Sequence, residues 1–222
     1  MDAPELEPAI HHQALRALER INGLSRVIPI AWKPICDLAK ENKGKSLRVL
    51  DIATGAGDFP RRLWLKNRRE KIPLLVEGCD KSETAVRFAQ EESDRKKIET
   101  RFFRLDALEE KIPVAYDVLT CNLFFHHLLP EEGLRLLKNF KQSQARLVVL
   151  NDLERSLPGL WLAFLSSRIL TRSSIVHFDA VQSVRNAYQI QEIREIAEEA
   201  GLRDSSIRRV WPFRYLFVWR RD

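Results

Sequence analysis

The stretch Arg48-Val-Leu-Asp-Ile-Ala-Thr-Gly-Ala-Gly-Asp58 decides the fold. Val49 and Leu50 predict a buried strand that runs into Asp51. Gly55 and Gly57 follow, one residue apart, and then a helix with Asp58 as its N-cap and Pro60 in its first turn. Such a strand–turn–helix is a nucleotide loop, because glycine tolerates φ > 0 and lets a ligand lie directly on the main chain. A dinucleotide fingerprint would continue to a third glycine or alanine that packs helix on strand. Pro60 stands in that place, and Asp51 is not part of that pattern. A nicotinamide-dependent oxidoreductase is therefore the weaker alternative.

Working outward, strand and helix signals alternate. Leu47–Ile52 reads as the first strand and Leu74–Asp80 as the second. Ser82–Glu92 is a helix capped by Ser82. Arg101–Leu105 and Tyr116–Cys121 are the third and fourth strands, Pro130–Phe140 a helix, and Ala145–Leu150 the fifth strand. This alternation predicts a parallel sheet of βα units. Residues 10–22 (Leu15, Leu18, Ile21) and 32–42 (Ile35, Leu38, Ala39) have helical spacing and form an N-terminal cap. At the other end, Ile207–Trp211 and Phe213–Trp219 are separated by Pro212 alone, so they pair antiparallel. Phe213, Tyr215, Phe217 and Trp219 are expected on one face of the last strand.

Between sheet and hairpin, Leu157-Pro-Gly-Leu-Trp-Leu-Ala-Phe-Leu-Ser-Ser-Arg-Ile-Leu170 is apolar on nearly every face. It suits a lid over a lipophilic substrate or a membrane-surface helix, or else a helix buried against the sheet and the cap. Gln189–Ala200 is an amphipathic helix stopped by Gly201. The expected organisation is a single domain over 1–222: a helical cap to 46, a βα core over 47–150, a lid and substrate segment over 151–204, and a terminal hairpin over 205–222.

The chain of 222 residues, 45% hydrophobic and 31% charged, has ordinary globular composition. No run reaches the length of a membrane span, and the acidic start has no signal-peptide core. Cys36, Cys79 and Cys121 lack metal spacing and read as free thiols in a reducing cytoplasm. The formal net charge of +6 could mark a nucleic-acid or anionic-membrane face. Acidic residues are mixed through most of the basic runs, however, which favours solvated helix faces and guarded strand edges. An RNA-binding protein without catalysis is the second alternative.

In an open α/β sheet, ligands sit at the carboxyl ends of the strands. Strand one delivers Asp51, Ala53, Thr54, Gly55 and Gly57. Strand two ends at Asp80, beside Lys81, where a carboxylate accepts two ribose hydroxyls at once. Strand three leads to Asp106 and Ala107, placed to accept from an adenine amine, unless Asp106 is only a helix or turn cap. Strand four leads to Asn122, Phe125, His126 and His127, and strand five to Asn151 and Asp152. A histidine suits proton removal from a hydroxyl near neutral pH. His126 and His127 adjoin the crevice, and His177 lies in the lid. Arg155, Arg185 and Tyr188 could hold a substrate carboxylate or phenol, or serve lid–core pairing.

Strand–Asp-x-x-x-Gly-x-Gly resembles the first motif of the class I S-adenosylmethionine (SAM)-dependent methyltransferases, and the motif order from 47 to 152 fits them. The terminal hairpin is similar to theirs as well. Phe125-His-His127, Asn151-Asp-Leu-Glu-Arg155, Val176-His-Phe-Asp179 and Ser183-Val-Arg185 resemble the small-molecule enzymes of ubiquinone/menaquinone biosynthesis and those associated with type III polyketide synthases. The resemblance implies a Rossmann-like seven-stranded sheet with helices on both faces. It also implies SAM as cofactor and a small, apolar hydroxylated aromatic or quinol acceptor. Ala53 replaces a glycine or cysteine of many relatives, a departure expected to be harmless. Exocyclic base-amine methylation is associated with an Asn/Asp-Pro-Pro-aromatic run, which Cys121-Asn-Leu-Phe124 is not. Metal-dependent catechol enzymes place carboxylates after strands four and five, where only Asp152 qualifies, so no metal is expected.

Overall fold

Seven strands form one sheet in the order β3-β2-β1-β4-β5-β7-β6. The computed structural model describes residues 27–42, 44–170 and 174–221; the expected helix over 10–22 lies outside them. In chain order the elements are α1 (Val27–Glu41), β1 (Leu47–Ile52), α2 (Asp58–Glu70), β2 (Leu74–Asp80), α3 (Glu83–Arg95) and β3 (Arg101–Arg104). There follow β4 (Val118–Asn122), a 3₁₀ turn (Phe125–His127), α4 (Pro130–Gln142) and β5 (Leu147–Leu153). The chain closes with α5 (Leu157–Leu170), α6 (Ser174–Asn186), α7 (Ile190–Glu199), β6 (Ser206–Val210) and β7 (Arg214–Arg220).

β1, β2, β3, β4 and β5 are parallel, while β7 inserts antiparallel between β5 and β6. Strand order reverses between β1 and β4, so the ligand crevice of this topology opens over their carboxyl ends. Period-two alternation sorts each strand between two cores. Leu50, Ile52, Leu119, Cys121, Val148 and Leu150 face one side. Leu47, Val49, Val118, Leu147 and Val149 face the other, where α1 and α2 supply Ala31, Ile35, Leu38, Phe59 and Leu63. Burial of Val27, Ala31 and Trp32 carries α1 through Pro34, so it starts before the predicted residue 32 despite the helix-interior cost of proline.

The hairpin differs from expectation in one respect. Trp211, Pro212 and Phe213 together make the connection, and Phe213 sits at φ 46. That left-handed residue breaks the alternation and leaves Phe213 exposed, while Tyr215, Phe217 and Trp219 stay in the core as predicted. Helix α7 ends at Gly201, φ 77, as its sequence indicates. The basic runs are largely engaged: Lys66 pairs with Glu70, Arg95 and Lys96 with Glu92, Arg209 with Glu154, and Arg220 with Glu41. No helix among the described residues is long and apolar enough to cross a membrane.

Candidate functional site

The crevice is built around Gly55 and Asp80. Gly55 has φ 53, and a Cβ placed on it would meet no atom within 4 Å. Open space above a left-handed glycine is what a ligand lying on the main chain requires. The Asp80 carboxylate at the end of β2 accepts from the Gly55 N–H at 2.8 Å and from the Ser82 N–H at 2.9 Å. Asp80 therefore ties the turn after β1 to the start of α3, which Ser82 caps through the Ala85 N–H. Lys81 is exposed beside it.

Gly57 plays a different part from the one the sequence predicts. A Cβ there would lie 2.7 Å from both Ala89 Cβ and Phe102 Cε1, so the glycine admits α3 and β3 rather than a ligand. The Arg61 side chain, 2% exposed, reaches back to donate to the Ala56 carbonyl at 2.7 Å. Ala53 adopts φ 53. That conformation costs a non-glycine residue about 1–2 kcal/mol, so the departure expected to be harmless carries a cost.

Asp51 is buried under the turn rather than open to it. Its oxygens accept from Thr54 Oγ1 at 2.8 Å, Thr120 Oγ1 at 2.7 Å and Asn122 Nδ2 at 3.0 Å. Burial outweighs these donors and raises its carboxyl to about 7. Asp51 thus fastens the first turn to β4. Asp106, two residues past β3, uses Oδ1 to accept from the Leu108 N–H at 3.0 Å. That is the capping role weighed for it, and the neighbouring Ala107 is buried.

At the ends of β4 and β5 the geometry favours one histidine. His126 is 6% exposed, with Nδ1 2.6 Å from Asp152 Oδ1. The other Asp152 oxygen accepts from the Phe125 N–H, also at 2.6 Å. Burial pushes the Asp152 carboxyl up, but His126 and the Leu153 and Phe125 N–H groups outweigh it and hold the acid below its usual range. A carboxylate so placed orients the imidazole and, with the proton on Nδ1, leaves Nε2 as the basic atom. His127 is exposed, its ring 4.1 Å from that of His126. His177 is half-buried on α6, which packs against the 3₁₀ turn.

The four residues expected to contact substrate each have protein neighbours in the structure. Phe125 is fully buried; its ring fills the space left by Gly133 and meets the Tyr188 ring edge-on at 5.3 Å. Tyr188 is buried too, donates its hydroxyl to the Leu128 carbonyl at 2.7 Å, and has its pKa pushed up to about 12 by burial. Arg155 pairs with Glu192 of α7 at 2.6 Å. Arg185 contacts Gln182 one turn back on α6.

Asn151, placed by its sequence at the end of the fifth strand, was given no role there. Asn151 is fully buried, and neither polar atom of its side chain has a hydrogen-bond partner. The Asn122 Oδ1 in the paired register is likewise unmatched. Arg214, on the same face by alternation, is mostly buried and has its guanidinium pulled down by burial against the opposing effect of Asp152. The signal was a polar residue ending the apolar run Leu147–Leu150. A separate cleft of about 800 Å³ opens between the hairpin and the start of α7, lined by Glu154, Arg155, Gln189, Arg209, Trp211 and Arg214. It lies away from the glycine turn. Its Arg155 and Arg209 are held by Glu192 and Glu154.

Comparison with known proteins agrees with this geometry. Magnesium protoporphyrin IX methyltransferase from Synechocystis PCC 6803, solved with bound S-adenosylhomocysteine (SAH), is 19% identical, with a TM-score of 0.58 over 96% of this chain and 84% of that one. A SAM-dependent methyltransferase from Aquifex aeolicus is 17% identical, with a TM-score of 0.60 over 97% and 98%. The apo methyltransferase SibL is 16% identical, with a TM-score of 0.67; the match covers 99% of this chain and 60% of SibL. At such identities the likeness shows the fold. No curated protein matches significantly in sequence. A family model described as "Methyltransferase domain" matches residues 43–201, which spans the glycine turn, all five parallel strands and α7. The chain belongs to this methyltransferase-domain family.

Proposed function

We propose that the protein transfers the methyl group of SAM to a small, apolar hydroxylated aromatic or quinol, without a metal and with His126 as base. One observation carries the cofactor assignment: the Asp80 carboxylate is fastened to the Gly55 N–H beside open space over that glycine. A fixed acceptor next to bare main chain fits a ribose, whose hydroxyls donate to the carboxylate. Asn122 Oδ1, an unmatched acceptor at the end of β4, fits the ammonium of the methionine portion. Asp106 and Ala107 border the adenine end, and Lys81 its rim.

SAM supplies an already activated methyl on a sulfonium, so the residues here need chiefly to hold the acceptor in line with it. His126 would take the acceptor's hydroxyl proton on Nε2, while Asp152 keeps the proton on Nδ1 and the ring in place. His126 is preferred for the support Asp152 gives its ring, and His127 and His177 are the lesser candidates. The preference against a metal rests on Asp152, whose oxygens already serve His126, Phe125 and Leu153. An apolar acceptor is supported by the apolar helix α5, and a polar handle on it by Asn151. The free, buried cysteines fit the cytoplasm.

Turnover of labelled SAM against a panel of phenols, quinols and carboxylates tests the assignment. Methylation of a phenol or quinol hydroxyl, abolished in His126→Ala with cofactor binding intact, is the expected result. Turnover confined to carboxylates or amines would overturn the acceptor class.

A further inference from the structure

Helix α5 turns most of its large apolar residues toward solvent. At 100° per residue, Leu157, Trp161, Leu162, Phe164, Leu165 and Ile169 share an outward arc of roughly 160° and are 38% to 81% exposed. The inward arc carries the half-buried Leu160 with Gly159, Ala163, Ser166 and Ser167, and the two serines donate to the carbonyls of Ala163 and Phe164 in their own helix. A helix that meets only water turns its large apolar residues inward and its serines outward. The hairpin connection packs beside the first turn of this helix and is itself apolar and exposed. Trp211 is 73% exposed, and Phe213 lies against Gly159, 3.2 Å from where a Cβ would stand. Phe178 of α6 is 70% exposed.

Charge selects the partner. Helix α5 contains no carboxylate; its single charged residue, Arg168, lies over the Phe164 ring at 3.5 Å and is exposed. Arg208 of β6 is exposed near the hairpin turn. Exposed tryptophans and phenylalanines with arginines at the edge match the boundary of a bilayer, where rings sit at headgroup level and guanidinium groups meet phosphate. With 14 residues, or about 21 Å at 1.5 Å per residue, α5 is too short to span the membrane. It is long enough to lie in the interface.

We propose that α5 and the 211–213 turn form a docking surface for a bilayer containing anionic phospholipid. The surface goes beyond the methyl-transfer assignment and stands without it. If both hold, an apolar acceptor dissolved in the bilayer enters beside α6, which packs on the turn carrying His126.

The test is sedimentation of the full chain with sucrose-loaded vesicles of equimolar phosphatidylethanolamine and phosphatidylglycerol. The wild-type protein should pellet with the vesicles, and several-fold less with phosphatidylcholine or in high salt. The triple variant Trp161→Ser, Leu165→Ser, Ile169→Ser should lose at least tenfold in partitioning. These side chains are exposed, so its thermal midpoint and its SAH binding by calorimetry should stay at wild-type values, which separates docking from cofactor chemistry. Wild-type protein left in the supernatant, or a triple variant that pellets as well as wild type, overturns the proposal. So does a wild-type dimer in gel filtration that the triple variant converts to monomer without vesicle binding, because the occupant would then be a second copy of the chain.

Discussion

The crevice has two halves of opposite character. Over β1 and β2 the groups proposed to meet the cofactor are backbone atoms and one carboxylate, locked to each other through Asp80, Ser82 and Gly55. Over β4 and β5 the polar side chains are buried, and some lack partners: His126 leans on Asp152, while Asn151 is unmatched. The contrast teaches that the first half is complete before anything binds. The second keeps hydrogen-bonding capacity in reserve, which a buried site retains at a cost unless a ligand or water takes it up.

The strongest way to break the comparison is at the two glycines. Gly57→Ala combines a left-handed φ of 72 with contacts of 2.7 Å, so it should lose about 3 kcal/mol of stability in urea. Gly55→Ala meets open space and should lose about 1–2 kcal/mol, yet weaken SAH binding at least tenfold. Equal stability losses in the two variants would contradict the division of labour.

Next in size is Asp152→Asn. It removes the charge that orients His126, so turnover should fall about 100-fold or more and stability by about 2 kcal/mol, with SAH affinity unchanged. A fall in SAH affinity as large as the fall in turnover would merge the two halves into one.

Asp51 and Asp152 should give opposite pH signatures. Asp51 titrates at about 7 when folded, against an ordinary 3.8, so the folded state binds the extra proton. Its contribution is fully present at low pH and is lost as pH rises from about 4 to 7, on the order of 4 kcal/mol at most. Asp152 is held low, so its contribution is present above the ordinary carboxylate range and lost as pH falls through it. Urea midpoints of Asp51→Asn should be flatter than wild type between pH 4 and 7; unchanged curvature would remove Asp51 as the cause. The smallest expected effect is Ala53→Gly. Relief of the left-handed strain, offset by unfolded-chain entropy, should gain about 0.5 kcal/mol by thermal denaturation.

How far sequence reached follows the same division. The bounds of β1 and β2, the cap Ser82 and the stop Gly201 were legible, because apolar alternation, capping chemistry and glycine conformation are local. The placement of Gly55 and Asp80 at neighbouring strand ends was legible because the strand order sets it. The burial of Phe125 was not legible, since only the fold reveals that Gly133 of α4 makes room for its ring. The partner of Tyr188 was hidden for a similar reason, its hydroxyl being donated to the Leu128 carbonyl sixty residues away. The two functions of the glycine pair were inseparable in sequence, because Ala89 and Phe102 approach Gly57 from elements far along the chain. The choice between a buried and a surface α5 likewise needed the exposures of Trp161 and Ile169.

Calorimetric titration of SAH into the wild-type protein and Asp80→Ala tests the central claim most directly. Saturable one-site binding to the wild type, weakened at least tenfold in Asp80→Ala, is the result this geometry predicts. Absence of binding to the wild type, or equal affinity in the variant, would contradict it.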